Sequence, residues 1–198
     1  MRLEQAIAYH SDVFLEGLTP PDTWSEKVAK GNFLTFDRFI ADRPFVQKKR
    51  IFQAVPSQAI SSEFKVVKTP DGKVYLVTAT NYDLDGSGTY ANLYLLQEAS
   101  SIIQVIDIEV EASASGVGGI KTTTVAETVY GDLDRGYNVR SSEFEQVSYT
   151  GFIVTLPGGT HITTDNELVI SDNTYDVTEV WDDLEVRKAR ATKRTSNA

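Results

Sequence analysis

The sequence predicts a mainly β fold, an antiparallel small barrel or sandwich preceded by a part-helical N-terminal arm. Three observations carry that expectation. From Lys48 onward, short runs rich in Val, Ile, Tyr and Thr are separated by Gly, Asp, Asn and Pro, the pattern of strands joined by turns. No helical pattern alternates with those runs, so the crossovers of a parallel sheet have no candidates. Apolar residues at helical spacing occur in the first 35 residues.

In chain order, Leu3, Ile7, Phe14 and Leu18 recur at spacings of four, seven and four, which predicts a short helix. Thr19-Pro20-Pro21-Asp22 ends it, because proline lacks an amide donor and restricts the residue before it. Trp24 to Phe36 is mixed in character and reads as a helix or loop that packs Trp24 and Phe33. The strands expected next are Lys49–Ala54, Glu63–Lys68, Lys73–Thr80, Thr89–Gln97, Ile102–Ala112 and Lys121–Tyr130. Phe144–Thr155, Glu167–Ser171, Tyr175–Val180 and Leu184–Arg190 complete the series.

In Ile102–Ala112 the even positions are Ile102, Gln104, Ile106, Ile108 and Val110, while the odd ones end in Asp107, Glu109 and Glu111. Period two therefore predicts an even face turned inward. Lys73–Thr78 is apolar on both faces, as a covered central strand should be. Two segments, Phe64–Val77 and Leu168–Val177, resemble each other, each running from an apolar strand through a polar Asp-containing turn to a strand carrying Tyr and Val. The likeness is one that any β-hairpin gives. Ser113-Ala-Ser-Gly-Val-Gly-Gly119 is too short for a domain linker and suits a loop or projecting hairpin tip. The expected organisation is an arm at 1–45, an antiparallel β domain at 46–186 and a basic tail at 187–198.

Composition narrows the function classes. The chain has 198 residues, 19 Lys+Arg against 28 Asp+Glu, a net charge of −9 and no cysteine. Its length suits one domain with appendages. Without cysteine there are no disulfides, thiolate metal sites or thiol nucleophiles. Arg187, Lys188, Arg190, Lys193 and Arg194 lie in the last 12 residues with no acid among them. Taking those five charges from the total of −9 leaves −14 on residues 1–186. A body so acidic repels nucleic-acid phosphates, so the expected role of these five residues is docking onto an acidic protein neighbour, such as another copy of the chain. Glu4 and His10 interrupt the N-terminus where a signal peptide needs an apolar run, which predicts a protein kept in a cytoplasm or in something assembled there.

Motifs for chemistry are sparse. Asp83-Leu-Asp85-Gly-Ser87-Gly-Thr89 matches the front half of an EF-hand loop, but the twelfth position is Tyr94 in place of the bidentate glutamate. An ordinary hairpin turn and a weak calcium site are the two readings of it. Asp107 with Glu109, Asp132 with Asp134, and Asp182 with Asp183 and Glu185 are carboxylate groupings of the kind a glycosidase would use. Among 28 acids such pairs arise at turns and on strand faces without catalysis. His10 and His161 form no triad order and no metal-ligand spacing. No phosphate-cradling glycine motif occurs. No catalytic, cofactor-binding or metal site is expected, and the chain is read as a non-enzyme.

Gly159-Thr-His-Ile-Thr-Thr-Asp-Asn-Glu-Leu-Val-Ile-Ser-Asp-Asn-Thr-Tyr-Asp-Val-Thr-Glu-Val180, followed by a final strand and basic end, resembles the head–tail connector proteins of tailed bacteriophages. These are the small β-rich adaptor, head-closure and neck components. The resemblance covers about 35 of the 198 residues. It implies a virion structural protein, assembled in the host cytoplasm, that forms a homo-oligomeric ring around the DNA channel. Such a ring docks portal-side and tail-side proteins while DNA passes without specific binding, and it involves no membrane or cofactor. A carbohydrate-binding or adhesion module using Trp24, Trp181 and the tyrosines is the alternative, and a two-carboxylate hydrolase the third.

Overall fold

A computed structural model of the chain describes residues 13–19, 23–34, 49–84, 90–112, 119–139 and 149–193. Its strands are β1 Val13–Thr19, β2 Thr23–Leu34, β3 Lys49–Ala54, β4 Val66–Lys68, β5 Val74–Leu84 and β6 Tyr90–Glu98. They continue with β7 Ser101–Ala112, β8 Gly119–Val139, β9 Tyr149–Pro157, β10 Glu167–Ile170, β11 Asn173–Asp183 and β12 Val186–Lys193. Among the described residues the only helix is a 3₁₀ turn at Pro56–Gln58. The mainly β, antiparallel class read from the sequence is the one observed.

The part-helical arm is not. Residues 13–19 and 23–34 form β1 and β2. A spacing of four, as between 14 and 18, is even and fits the period of two of a strand as well as that of a helix. Pro20-Pro21 follows a strand as readily as a helix. Leu3, Ile7 and His10 lie outside the described residues.

The chain divides into two compact bodies, Met1–Ala99 with Asp183–Val186, and Ser100–Asp182 with Arg187–Ala198. The single β domain expected at 46–186 is therefore two. The break falls in Glu98-Ala99-Ser100-Ser101, which has none of the proline, glycine or charge run by which a linker is recognised. In the first body the strand order is β1-β2-β3-β6-β5-β4, and β4 returns to β1 through Glu16–Lys68 and Gly17–Val67. In the second it is β7-β8-β9-β12-β11-β10, and β10 returns to β7 through the pairs Ile103–Ile170 to Ile106–Glu167. Closure removes free sheet edges within each barrel.

The two orders are the same, and the correspondence extends to single residues. Tyr75 pairs with Val67 in the first barrel and Tyr175 with Leu168 in the second, so the two similar hairpins occupy one architectural position. Val77 N–H donates to Lys65 O at 2.9 Å, and Val177 N–H to Asn166 O at 3.4 Å. The Thr78 hydroxyl donates to Leu95 O and the Thr178 hydroxyl to Arg190 O. The turns after β3 and β9 close through Gln58 N–H to Val55 O and Thr160 N–H to Pro157 O. Gly31 of β2 pairs with Val13, the first residue of β1, and Gly131 of β8 with Ser101, the first residue of β7. A Cβ on Gly31 would collide with the Gln53 carbonyl of β3, and one on Gly131 would stand 2.9 Å from the equivalent Thr155 carbonyl of β9. Each barrel thus pinches at the same glycine.

The cores are filled differently. Phe52, Val67, Tyr75, Val77, Tyr94 and Leu96 make the first, with Phe33 edge-on to Phe52 at a centroid distance of 5.4 Å. Ile103, Val105, Val154, Leu156, Leu168 and Ile170 make the second. Tyr75 to Thr78 are all buried, so β5 is covered on both faces as its sequence predicts. For β7 the expected faces are reversed from Ile102 to Val105, whereas Ile106 is buried as the even face predicts. Ile103 and Val105 are fully buried while Ile102 is 58% exposed. The carboxylates that seemed to define an outward face lie beyond the barrel, where neither face is core.

Candidate protein–protein interface

β7 and β8 outrun their barrel. β7 pairs with β10 only from Ile103 to Ile106, and β8 pairs with β9 only from Asp132 onward. Between these limits residues 107–112 and 119–125 pair with each other and form a two-stranded ribbon. The register shifts between Val105 and Ile106, leaving Ala126 as an extra residue in β8, a bulge that bends the ribbon where it leaves the barrel. The projecting hairpin suited to the Gly/Ser-rich segment is thus present in its flanks, while residues 113–118 lie outside the described residues.

Polar side chains fix the base of the ribbon. The buried Asn166 donates from Nδ2 to Asp107 Oδ1 at 2.6 Å and to Ile106 O at 3.3 Å. Lys121 Nζ reaches the buried Glu167 carboxylate at 2.5 Å. Glu127 Oε2 accepts the backbone N–H of His161. Past this base the ribbon is open to solvent. Residues 121–126 are all exposed, with Val110 at 68% and Val125 at 51%. Cross-strand pairing puts Val110, Ile108 and Val125 on one face, and exposed Asp107 and Glu109 on the other. Both long edges carry backbone groups that pair with no further strand among the described residues, the arrangement that accepts strand addition.

The basic segment read as a tail is instead β12, a strand of the second barrel. Arg187, Lys188, Arg190 and Lys193 lie within it, and Arg194 lies outside the described residues. Ala189 and Ala191 are fully buried, so alternation puts Lys188 and Arg190 on the opposite face, while Arg187 and Lys193 share the alanines' parity towards the two ends of the strand. Alternation was hidden because the inward residues are alanines, weak in any hydropathy pattern. Arg187 grips Asp182 with two hydrogen bonds, Nε to Oδ1 at 2.8 Å and Nη2 to Oδ2 at 3.1 Å, and gives a third to Thr160 O. This hydrogen-bonded guanidinium holds the Asp182 carboxyl below its ordinary value, and the carboxylate in turn raises the pKa of Arg187. Arg190 Nη1 meets Glu179 Oε2 at 2.7 Å. Lys193 is exposed.

The other residues singled out by sequence do not converge. Asp132 is buried and accepts a hydrogen bond from Ser100, whereas Asp134 is exposed. Glu185 lies 3.7 Å from Lys65. Asp83 sits near the end of β5, which pairs with β6 as far as Leu84–Tyr90, so the EF-hand-like segment joins two strands, and residues 85–89 lie outside the described residues. No group of three or more His, Asp or Glu side chains suited to a metal occurs among the described residues. Trp24 is half-buried beneath Lys68, whose Nζ is 4.6 Å from the ring centroid. Sequence reasoning did not find a cleft of about 500 Å³ in the first body, lined by Ser62, Phe64, Lys65, Thr80, Asn92 and Glu185 among others. Its residues come from strands and turns far apart in sequence. A scan of protein families and a search of curated proteins both find no match to this chain.

Proposed function

We propose that this chain is a virion structural protein of the bacteriophage head–tail connector, or neck. It acts by forming a ring around the DNA channel and docking portal-side and tail-side proteins. The observation that carries the reading is the ribbon of β7 and β8, which leaves a closed barrel with two long edges that pair with no further strand among the described residues and with exposed Val110 and Val125. Closed barrels have no edge of their own to offer a neighbour, so a strand pair extended past the rim supplies one. The net charge of −9 suits a passage through which DNA slides without sticking. The connector-like pattern of Gly159–Val180 supports the same reading, now as the β10–β11 hairpin with its flanks.

The role calls on no catalytic residue, cofactor or membrane. Electron microscopy of the purified chain should show rings, and mass spectrometry of purified particles should find it. A strictly monomeric chain that is absent from particles overturns the proposal.

A further inference from the structure

We propose that the cleft of the first body binds a short neutral saccharide, with Asn92 as its central contact. The inference concerns the first body alone, to which Glu185 belongs within Asp183–Val186, and it does not depend on the ring reading.

The cleft has a volume of about 500 Å³, within the range of small-molecule sites. Phe64, Val77 and Tyr94, all buried, give it an apolar wall. Asn92 lines it too and is only 8% exposed. Its Nδ2 donates to Tyr94 Oη at 3.2 Å, and Tyr94 Oη donates to Ile60 O at 3.2 Å. That chain fixes the orientation of the amide and leaves Asn92 Oδ1 with no hydrogen-bond partner among the described residues. An amide so buried is costly to keep half-bonded, and a hydroxyl entering the cleft completes it.

The internal repeat separates this arrangement from what closure requires. Through the paired threonine bonds Tyr94 corresponds to Ala189, and Asn92 therefore to Arg187. Arg187 engages Asp182 and Thr160 O, so its guanidinium is bonded within its own barrel. The first barrel closes with a short amide at that position and an open cleft beside it.

The other polar groups of the cleft specify the ligand. Ser61, Ser62 and Thr80 are exposed, and their hydroxyls, like the amide, both donate and accept. Lys65 Nζ and Glu185 Oε2, 3.7 Å apart, add one donor and one acceptor whose charges cancel. The N–H of Glu185 donates to Thr78 O, which holds that carboxylate beside β5. An anion entering the cleft meets Glu185, and a cation meets Lys65. The complement is a neutral molecule with several hydroxyls and apolar C–H faces, which is a sugar. Neither Trp24 nor Trp181 lines the cleft, so the site is separate from any tryptophan platform.

Calorimetric titration of the full chain with glucose, galactose, N-acetylglucosamine, maltose, lactose and chitobiose tests the proposal. At least one should bind with a dissociation constant below about 1 mM, while inorganic phosphate and glycine should not bind. Asn92→Ala should weaken that sugar about tenfold. Thr80→Arg, at an exposed position, should weaken it as much by filling the cleft, so it decides the matter if thermal unfolding shows Asn92→Ala to be misfolded. No binding of any of these sugars at about 10 mM overturns the proposal. Sugar affinity unchanged in Thr80→Arg overturns it as well, as does binding of phosphate or glycine in preference to every sugar.

Discussion

Gly31→Ala should unfold the first barrel far more easily than a single methyl group suggests. The added Cβ would stand 2.7 Å from Phe52 Cζ and 2.9 Å from the Gln53 carbonyl carbon, with the Gln53 oxygen closer than either. Restoring an ordinary contact with that oxygen moves β3 away from β2 by about 1 Å, which stretches a 2.9 Å hydrogen bond past its useful range. Losing roughly two ladder bonds costs about 2 kcal/mol and the local overpacking about 1–3 kcal/mol more. The smaller entropy of an alanine-containing unfolded chain returns up to about 1 kcal/mol. The net loss is about 2–4 kcal/mol, or a shift of about 1–2 M in the urea midpoint at a slope near 2 kcal/mol/M. Each barrel contains one tryptophan, Trp24 in β2 and Trp181 in β11, so fluorescence in a Trp181→Phe background reports the first barrel alone. Gly131→Ala, read through Trp181 in a Trp24→Phe background, should cost less, because its nearest obstacle is the flexible Ile103 Cδ1. Gly151→Ala should be close to neutral, its Cβ meeting nothing nearer than 3.8 Å. A midpoint change below about 0.3 M for Gly31→Ala refutes the pinch.

Four further outcomes follow from the same contacts. Deleting residues 187–198 should unfold the second barrel, because it removes the buried Ala189 and Ala191 with their strand; proteolysis confined to the C-terminal residues in the full chain, with the truncated chain equally resistant, would contradict this. Tyr75→Phe should hold or raise stability by up to about 1 kcal/mol in urea titrations, since the buried Tyr75 hydroxyl has no hydrogen-bond partner among the described residues. Replacing Ser171-Asp172, whose φ angles are 48° and 64°, by Asn-Gly should raise the unfolding temperature, because those residues favour a turn with two positive φ values. Asp182 titrates below its ordinary 3.8, so its pairing with Arg187 stabilises the fold above that value and is lost as pH falls through the lower folded value. Asp182→Asn should flatten that part of the acid-side stability curve, measured by denaturation between about pH 2 and pH 5.

How much of this was legible depended on whether the signal was local. β3 begins and ends at Lys49 and Ala54, as its run of apolar and long side chains between turns implies. β1 was misread because a four-residue spacing fits both periods. β12 was misread because its buried alanines are small and most of its other positions are charged, which resembles a solvated tail. The repeat surfaced only as two similar hairpins, since the barrels fill equivalent positions with different volumes. Tyr94 and Leu96 correspond to Ala189 and Ala191 through the paired threonine bonds. Gly17, with the Phe64 ring in the space above it, corresponds to Val105. Packing constrains total volume more than identity, so sequence likeness fades while strand order stays.

The candidate interface divides in the same way. The Gly/Ser-rich segment marked the connection between β7 and β8, and the count of charges marked the C-terminal end as distinct. That residues 107–112 and 119–124 leave the barrel, and that Val110 and Asp107 lie on opposite faces, depends on where β10 stops pairing with β7, a relation between positions some sixty residues apart.

By itself, then, the sequence determined an antiparallel β chain without thiol chemistry, its turns, most strand positions and the segregation of its charge. All of these follow from side-chain type and spacing within a few residues. Only the tertiary structure decided that the strands close into two barrels of one design, that the basic end is a barrel strand and that one hairpin overreaches its barrel. Strand closure and register are set by pairings between distant segments and by the volume each core must fill, quantities that no local stretch of sequence contains.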